Sequence, residues 1–200
     1  LSGSHPPLHA CVLDFAPVDI PHQALIRLNI IPRDQHSISR KNISDSALKV
    51  MSRLRSGGFQ AYLVGGAVRD LLLGGHPKDF DIATDATPEA VTDLFRNSRI
   101  IGRRFRIVHV RFGREIIEVT TFRGHHDNGS GESGQHEEGG NHSRQSASGL
   151  LLRDNVYGTL AEDAARRDLT VNALYYDAGK FEVFDHVHGL QDLEKRTICI

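Results

Sequence analysis

Two aspartates one residue apart, in Lys78-Asp79-Phe80-Asp81-Ile82, are the first candidates for chemistry. Alternate side chains of a strand share a face, so Asp79 and Asp81 point one way while Phe80 and Ile82 point into a core. Adjacent carboxylates repel each other. They are comfortable in water, or with a divalent cation between them, as in phosphoryl-transfer sites. An Asp-x-Asp standing alone is more simply a solvated strand face. Here it follows Leu63-Val64-Gly65-Gly66-Ala67-Val68-Arg69-Asp70, a strand running into two glycines and then a helix. Glycines let the backbone approach a ligand closely, and the free N–H groups of the helix start favour an anion such as phosphate. Arg69, about one turn into that helix, is placed to reach the same phosphate. A double-glycine turn with a surface arginine is also common where nothing binds, so the two segments count together rather than singly.

A third block, Glu162-Asp163-Ala164-Ala165-Arg166-Arg167-Asp168-Leu169-Thr170-Val171-Asn172-Ala173, sets two arginines and two aspartates on adjoining turns. They suit a nucleotide and its metals; in isolation the simpler reading is an exposed helix with internal ion pairs. Between Arg96 and Arg114 lie seven arginines, at 96, 99, 103, 104, 106, 111 and 114. Such a basic stretch suits phosphate contact, and Arg103 and Arg104, next to Gly102, are the favoured RNA or phosphate contacts within it.

The elements that must position these residues are legible in part. Ala47, Leu48, Met51 and Leu54 recur at helical spacing from near Ser44, and Gly57-Gly58 ends the run. Strands are expected over 59–64, 79–84, 106–112, 115–122 and 181–184, with the third and fourth joined as a hairpin at Gly113-Arg114. Glu118 points to the opposite face from Ile117 and Val119. Thr87-Pro88-Glu89 starts one helix, and Thr159 with Glu162 has capping-box spacing for another. A short helix is expected at 190–194. Residues 1–42 are read as a largely irregular extension, with prolines at 6, 7, 17 and 21. The segment 124–149, almost without aliphatic side chains, is expected to be disordered.

Composition bounds the rest. The chain has 200 residues, 39% hydrophobic and 24% charged, enough for one globular core. Its net charge of −1 gives no global attraction to nucleic acid or membrane, so any anion site is built locally. No apolar run approaches the ~20 residues of a spanning helix, and no secretory signal is read at the N-terminus. Cys11 and Cys199 sit at opposite ends with no metal or disulfide spacing, which fits a reducing cytoplasm. A membrane protein, a disulfide scaffold and a zinc ribbon are excluded as expectations.

The stretches LVGGAVRD (63–70), KDFDIAT (78–84), EVTTFRG (118–124) and EDAARRDLTVNAL (162–174), in this order, resemble the class II nucleotidyltransferase superfamily of CCA-adding enzymes and bacterial poly(A) polymerases. The text at 31–54, 94–126 and 151–168 is most similar to the bacterial poly(A) polymerases. That resemblance implies an α/β fold of the α+β type. It would be a polymerase β-like nucleotidyltransferase head, with a mixed, antiparallel-rich sheet flanked by helices and a flexible N-terminal extension. It implies a head over 43–200 with an insertion at 124–149, and helical neck, body and tail regions absent from this chain. Asp79 and Asp81 would carry two Mg²⁺ ions, with Asp168 as a third catalytic carboxylate. Gly65, Gly66 and Arg69 would hold the triphosphate, with Asp163, Arg166 and Arg167 near the nucleotide. Glu118 is a further acidic candidate, ranked below Asp168. The implied reaction transfers AMP from ATP to RNA 3′ ends in the cytoplasm. CCA addition to tRNA, or binding of nucleotide or RNA without turnover, are the alternatives. Partners from RNA decay or RNA chaperones suit such a role, and no residue identifies them.

Overall fold

The computed structural model describes residues 28–103, 105–124 and 156–200. The elements follow from local signals. Ser44 caps α1 (Asp45–Ser56), its hydroxyl accepting from Ala47 N at 3.0 Å, and Ala47, Val50, Met51 and Leu54 form the buried stripe. β2 (Ala61–Val64) runs through Gly65 into α2 (Gly66–Leu72). β3 (Asp81–Thr84) leads to α3 (Pro88–Leu94), capped by the Thr87 hydroxyl accepting from Ala90 N at 3.2 Å, with proline at the start. β4 (Ser98–Ile101), β5 (Ile107–Phe112) and β6 (Glu115–Thr121) form an antiparallel meander whose β5–β6 turn pairs Phe112 with Glu115. α4 (Leu160–Ala165) begins with the expected capping box: Glu162 N donates to Thr159 Oγ1 at 3.3 Å, and Thr159 N donates to Glu162 Oε2 at 2.6 Å. β7 (Leu174–Asp177), β8 (Glu182–Asp185) and α5 (Gly189–Lys195) complete the set.

With β1 (Asn29–Ile31) these strands form one sheet in the order β1-β8-β7-β2-β3-β6-β5-β4. Every neighbouring pair is antiparallel except β3 and β6, which run parallel with Asp81 opposite Glu118. The fold is the mixed, antiparallel-rich α+β head that the sequence implied. Its two faces differ. Leu63, Ile82, Val108, Val110, Ile117, Val119, Tyr176 and Val183 pack against α1, α2 and α3 in the main core. On the other face Val64, Ala83, Tyr175 and Phe184 join Ala164 of α4 in a smaller cluster. Among the described residues, beyond β3 the cluster continues only through Phe122 just past the end of β6, and Asp81, Glu118 and His109 form a polar row across β3, β6 and β5.

Four details depart from the sequence reading. Order begins at β1 rather than near Ser44: Ile30 pairs with Phe184, and Ile31, Ile38 and Ile43 are buried in the core. A three-residue edge strand is held by its partner and carries no periodicity to read. β4 was not expected because its arginine masks the alternation. β7 was not expected because all four of its residues are buried, which removes the alternation altogether. The Arg-Arg-Asp block is not a continuous helix. α4 ends at Ala165, Leu169 is extended, and Thr170–Asn172 forms a single 3₁₀ turn. Residues 1–27, Arg104 and all of the 124–149 insertion except Gly124 lie outside the described residues. Among the described residues no helix is long and apolar enough to cross a membrane.

Replacing Thr159 by alanine removes the side-chain half of the capping box on the helix that carries Asp163. Thr159→Ala is expected to lower unfolding free energy by about 1 kcal/mol in urea titration, with Thr159→Ser recovering most of it.

Candidate active site

The β2–α2 turn fixes one wall. Gly65 adopts φ +76° and ψ −145°, a conformation that side chains rarely tolerate. A Cβ built there would stand 3.8 Å from Asp81 Oδ2 and 4.0 Å from Arg167 Nη1, so glycine brings backbone, carboxylate and guanidinium to one point. At Gly66 the nearest such neighbour is Arg69 Nη2, 3.3 Å away. A cleft of about 390 Å³ opens here, lined among others by Gly66, Arg69, Asp70, Lys78, Asp79 and Asp81.

Asp79 lies just before β3 and is exposed; Asp81 is its first residue and half-buried, while Phe80 and Ile82 are buried. The alternation expected from the sequence therefore holds. Burial pushes the Asp81 carboxyl above the ordinary value of 3.8. Glu118 adds to that push, Arg167 opposes it, and Asp79 contributes least. Glu118 acts because the parallel β3–β6 register sets it beside Asp81 on the same face. One strand further, His109 pairs with Glu118, its Nε2 3.2 Å from Glu118 Oε1 but outside hydrogen-bond geometry. Among the described residues no three His, Cys, Asp or Glu side chains are gathered at metal-ligand spacing. The donors at hand are carboxylates, the hard ligands of Mg²⁺, which takes one or two of them and completes its shell with water and phosphate.

The cationic wall has a buried support. Asp163 is 6% exposed. Its Oδ1 accepts from Arg123 N at 3.1 Å, and its Oδ2 from Tyr175 Oη at 2.6 Å and Arg167 Nη2 at 3.1 Å. Arg167 Nε donates to Tyr175 Oη at 2.9 Å. Burial works against the Arg167 charge, yet Tyr175 and Asp163 hold it more firmly protonated than usual. Burial also pushes the Tyr175 hydroxyl up, so it stays a neutral donor. Arg69 is oriented separately: Nη1 donates to Asn172 Oδ1 at 2.8 Å and Nε to Asp70 Oδ1 at 2.9 Å.

The structure thus brings together Gly65, Asp81 and Arg167, with Gly66, Arg69 and Asp79 around the same cleft. Asp163 stands behind Arg167, its oxygens engaged by protein donors. Arg166, Asp168 and Arg103 are exposed. Arg104 lies outside the described residues. Glu118 beside Asp81 and the Tyr175 hydroxyl under Arg167 are the neighbours that sequence ranking underrated or missed.

The raised Asp81 carboxyl has a defined sign. In the folded chain it keeps its proton to higher pH than in the unfolded chain. That contribution to stability is full below 3.8 and is lost as pH rises through the raised value. In metal-free buffer near neutrality the charged Asp81 therefore opposes folding. Asp81→Asn is expected to raise the melting temperature by a few degrees there and to change little below pH 3.8. An unchanged or lower melting temperature at neutrality would count against this account.

Residues 61–199 match the Poly A polymerase head domain. The chain is 56% identical over 178 residues to poly(A) polymerase I of Salmonella typhimurium, covering 88% of this chain and 37% of that enzyme. It is 39% identical over 152 residues to the CCA-adding enzyme of Bacillus pumilus, covering 76% of this chain and 34% of the relative. Among solved structures, the Bacillus stearothermophilus CCA-adding enzyme in complex with CTP superposes with a TM-score of 0.56 at 33% identity, over 76% of this chain and 32% of that one. The chain thus spans about a third of the length of these relatives. A match running from the second strand almost to the last residue, around a carboxylate and glycine-turn cleft, makes this chain a member of the poly A polymerase head-domain family of nucleotidyltransferases.

Proposed function

We propose that this chain is the catalytic head of an enzyme that adds AMP from ATP to RNA 3′ ends without a template. The observation that carries the reading is the half-buried Asp81, crowded by Glu118 and Asp79 and faced by Arg167 across Gly65. Such a concentration of carboxylates with a cation opposite suits a cleft that receives metal-bound triphosphate. Identity of 56% to a poly(A) polymerase against 39% to a CCA-adding enzyme favours adenylate addition over CCA addition.

Asp79 and Asp81 would hold two Mg²⁺ ions, with Glu118 beside them. When bound, those ions lower the pKa of the RNA 3′-hydroxyl and neutralise charge on the triphosphate. Every other contribution comes from the chain. Gly65 and Gly66 let the main chain approach the phosphates without a side chain between. Arg69 and Arg167 balance phosphate charge, the first held by Asn172 and Asp70, the second by Asp163 and Tyr175. Guanidinium groups fixed before substrate arrives need no reorganisation when charge moves from the α-phosphate to the leaving pyrophosphate. Arg166 and Asp168, exposed beyond α4, would meet the nucleotide from the open side.

The test is primer extension on labelled single-stranded RNA with Mg²⁺ and each nucleotide in turn, using the full-length protein. A ladder with ATP is expected, reduced about a thousandfold or more in Asp79→Ala/Asp81→Ala. Addition of two C residues and then A to a tRNA end would move the assignment to CCA addition. Bound ATP with no extension of any RNA would sink the enzymatic reading. In the same assay Glu118→Gln is expected to lose at least as much activity as Asp168→Asn, because only Glu118 is paired to Asp81.

A further inference from the structure

Among the described residues, helix and apolar cluster cover the sheet face that carries Asp81 mainly on its β8–β3 side. From β8 to β3, and at Phe122 past the end of β6, it is packed by the Tyr175 and Phe184 cluster and α4. From β6 to β4 no described helix covers it. The register lays out what stands there: Asp81 opposite Glu118, Glu118 opposite His109, His109 opposite Arg99. Arg111, two residues beyond His109, shares this face and pairs with Ile116. Ile101 and Ile107 pair on it and are half-exposed, and Ile116 is 46% exposed.

The register also sorts the seven arginines of the basic stretch. Arg106 pairs with Glu89 of α3, behind the sheet. Arg96, Arg103 and Arg114 sit in connections, and Arg104 lies outside the described residues. Only Arg99 and Arg111 stand on strands of the carboxylate face. Both are exposed; Arg99 has no hydrogen bond or ion pair to a described residue, and Arg111 Nε donates to Gly113 O at 3.2 Å. Three strand spacings put the Arg99 backbone about 15 Å from that of Asp81. That is too far to share the reacting phosphate, and it lies along a continuous face leading to it. Charge runs from carboxylate at the reaction point through His109 to guanidinium outboard, with isoleucine surface on either side of that row.

We propose that the open β6-β5-β4 face is the track of the RNA primer, with Arg99 and Arg111 binding phosphates upstream of the 3′-hydroxyl that reaches Asp79 and Asp81. The proposal rests on the adenylyl-transfer reading for the identity of the strand. Guanidinium groups neutralise backbone phosphates whatever the sequence, and the isoleucines give bases an apolar surface, as a primer extended without a template requires.

Binding of a labelled single-stranded RNA to the full-length protein, followed by anisotropy across a salt series without ATP, tests this apart from turnover. Each lost phosphate contact is expected to flatten the slope of log affinity against log salt by about 0.7. Arg99→Ala and Arg111→Ala should each do so, and their combination by about 1.4. Arg99→Lys and Arg111→Lys should keep most of the slope, because the charge remains. Lys49→Ala, exposed on α1 behind the sheet, should leave it unchanged. An equal flattening by Lys49→Ala, an unchanged slope in the double alanine variant, or a loss of ATP affinity in place of RNA affinity each overturns the track. RNA bound with the expected slopes but never extended would sink the reaction and leave the track standing. Extension by ATP with a slope indifferent to both arginines would sink the track and leave the reaction standing.

Discussion

Asp81 at the start of β3 is crowded by the charges of Glu118 and Asp79, and the electrostatics of the cleft turn on that repulsion. Asp79 and Asp81 follow one another on a strand, and the parallel pairing of β3 with β6 adds Glu118. Burial strips water from Asp81, and its carboxyl is pushed up as a result, with Glu118 adding to the push. A fold with no use for that arrangement would relieve it by a single substitution. Here, among the described residues, the relief comes from Arg167, across a glycine that admits no side chain between. The site holds an unfinished balance of charge that metal and phosphate together would complete.

Arg167 does this from a semi-buried position, and the cost of burying its charge is met locally. Asp163 and the Tyr175 hydroxyl bind it from behind and are bonded to each other. A buried guanidinium without such partners would be strongly destabilising. With them it is held in one direction, toward Gly65 and Asp81. The capping box on α4 belongs to the same arrangement, because the helix start fixes where Asp163 enters the sheet face. Local helix chemistry, a buried hydrogen-bond network and the electrostatics of the cleft are thus successive links of one chain of cause.

The sequence made legible whatever depended on neighbours in the chain. The Asp-x-Asp alternation, the glycine turn, the caps at Thr87 and Thr159 and the β5–β6 hairpin all follow from spacing over a few residues, and the structure has each of them. What depended on distant pairing was not legible. Nothing in the text around Glu118 says that its strand lies parallel to β3 with Glu118 beside Asp81, and the ranking of Asp168 above it rests on the family resemblance. β7 was hidden because a strand buried on both faces loses its period, and the Arg-Arg-Asp block looked helical because its spacing suits a helix. Asp163 is implied as a nucleotide contact by the resemblance; its burial beneath Arg167 is a tertiary fact.

Net charge concealed the most. A chain near neutrality gives no sign of nucleic-acid binding, yet neutrality here is a sum over regions that do not cancel in space. The Debye length at physiological salt is about 8 Å, and Arg99 stands about 15 Å from Asp81 along the sheet. At that separation the carboxylates do not neutralise the guanidinium field, nor the reverse. His109 lies between them, half-buried beside its Glu118 neighbour. One face can therefore attract an anionic strand at its outer edge while keeping cation affinity at its centre. The same few strands separate the two fields by geometry alone, which is why the sheet register, rather than composition, decides what this face can bind.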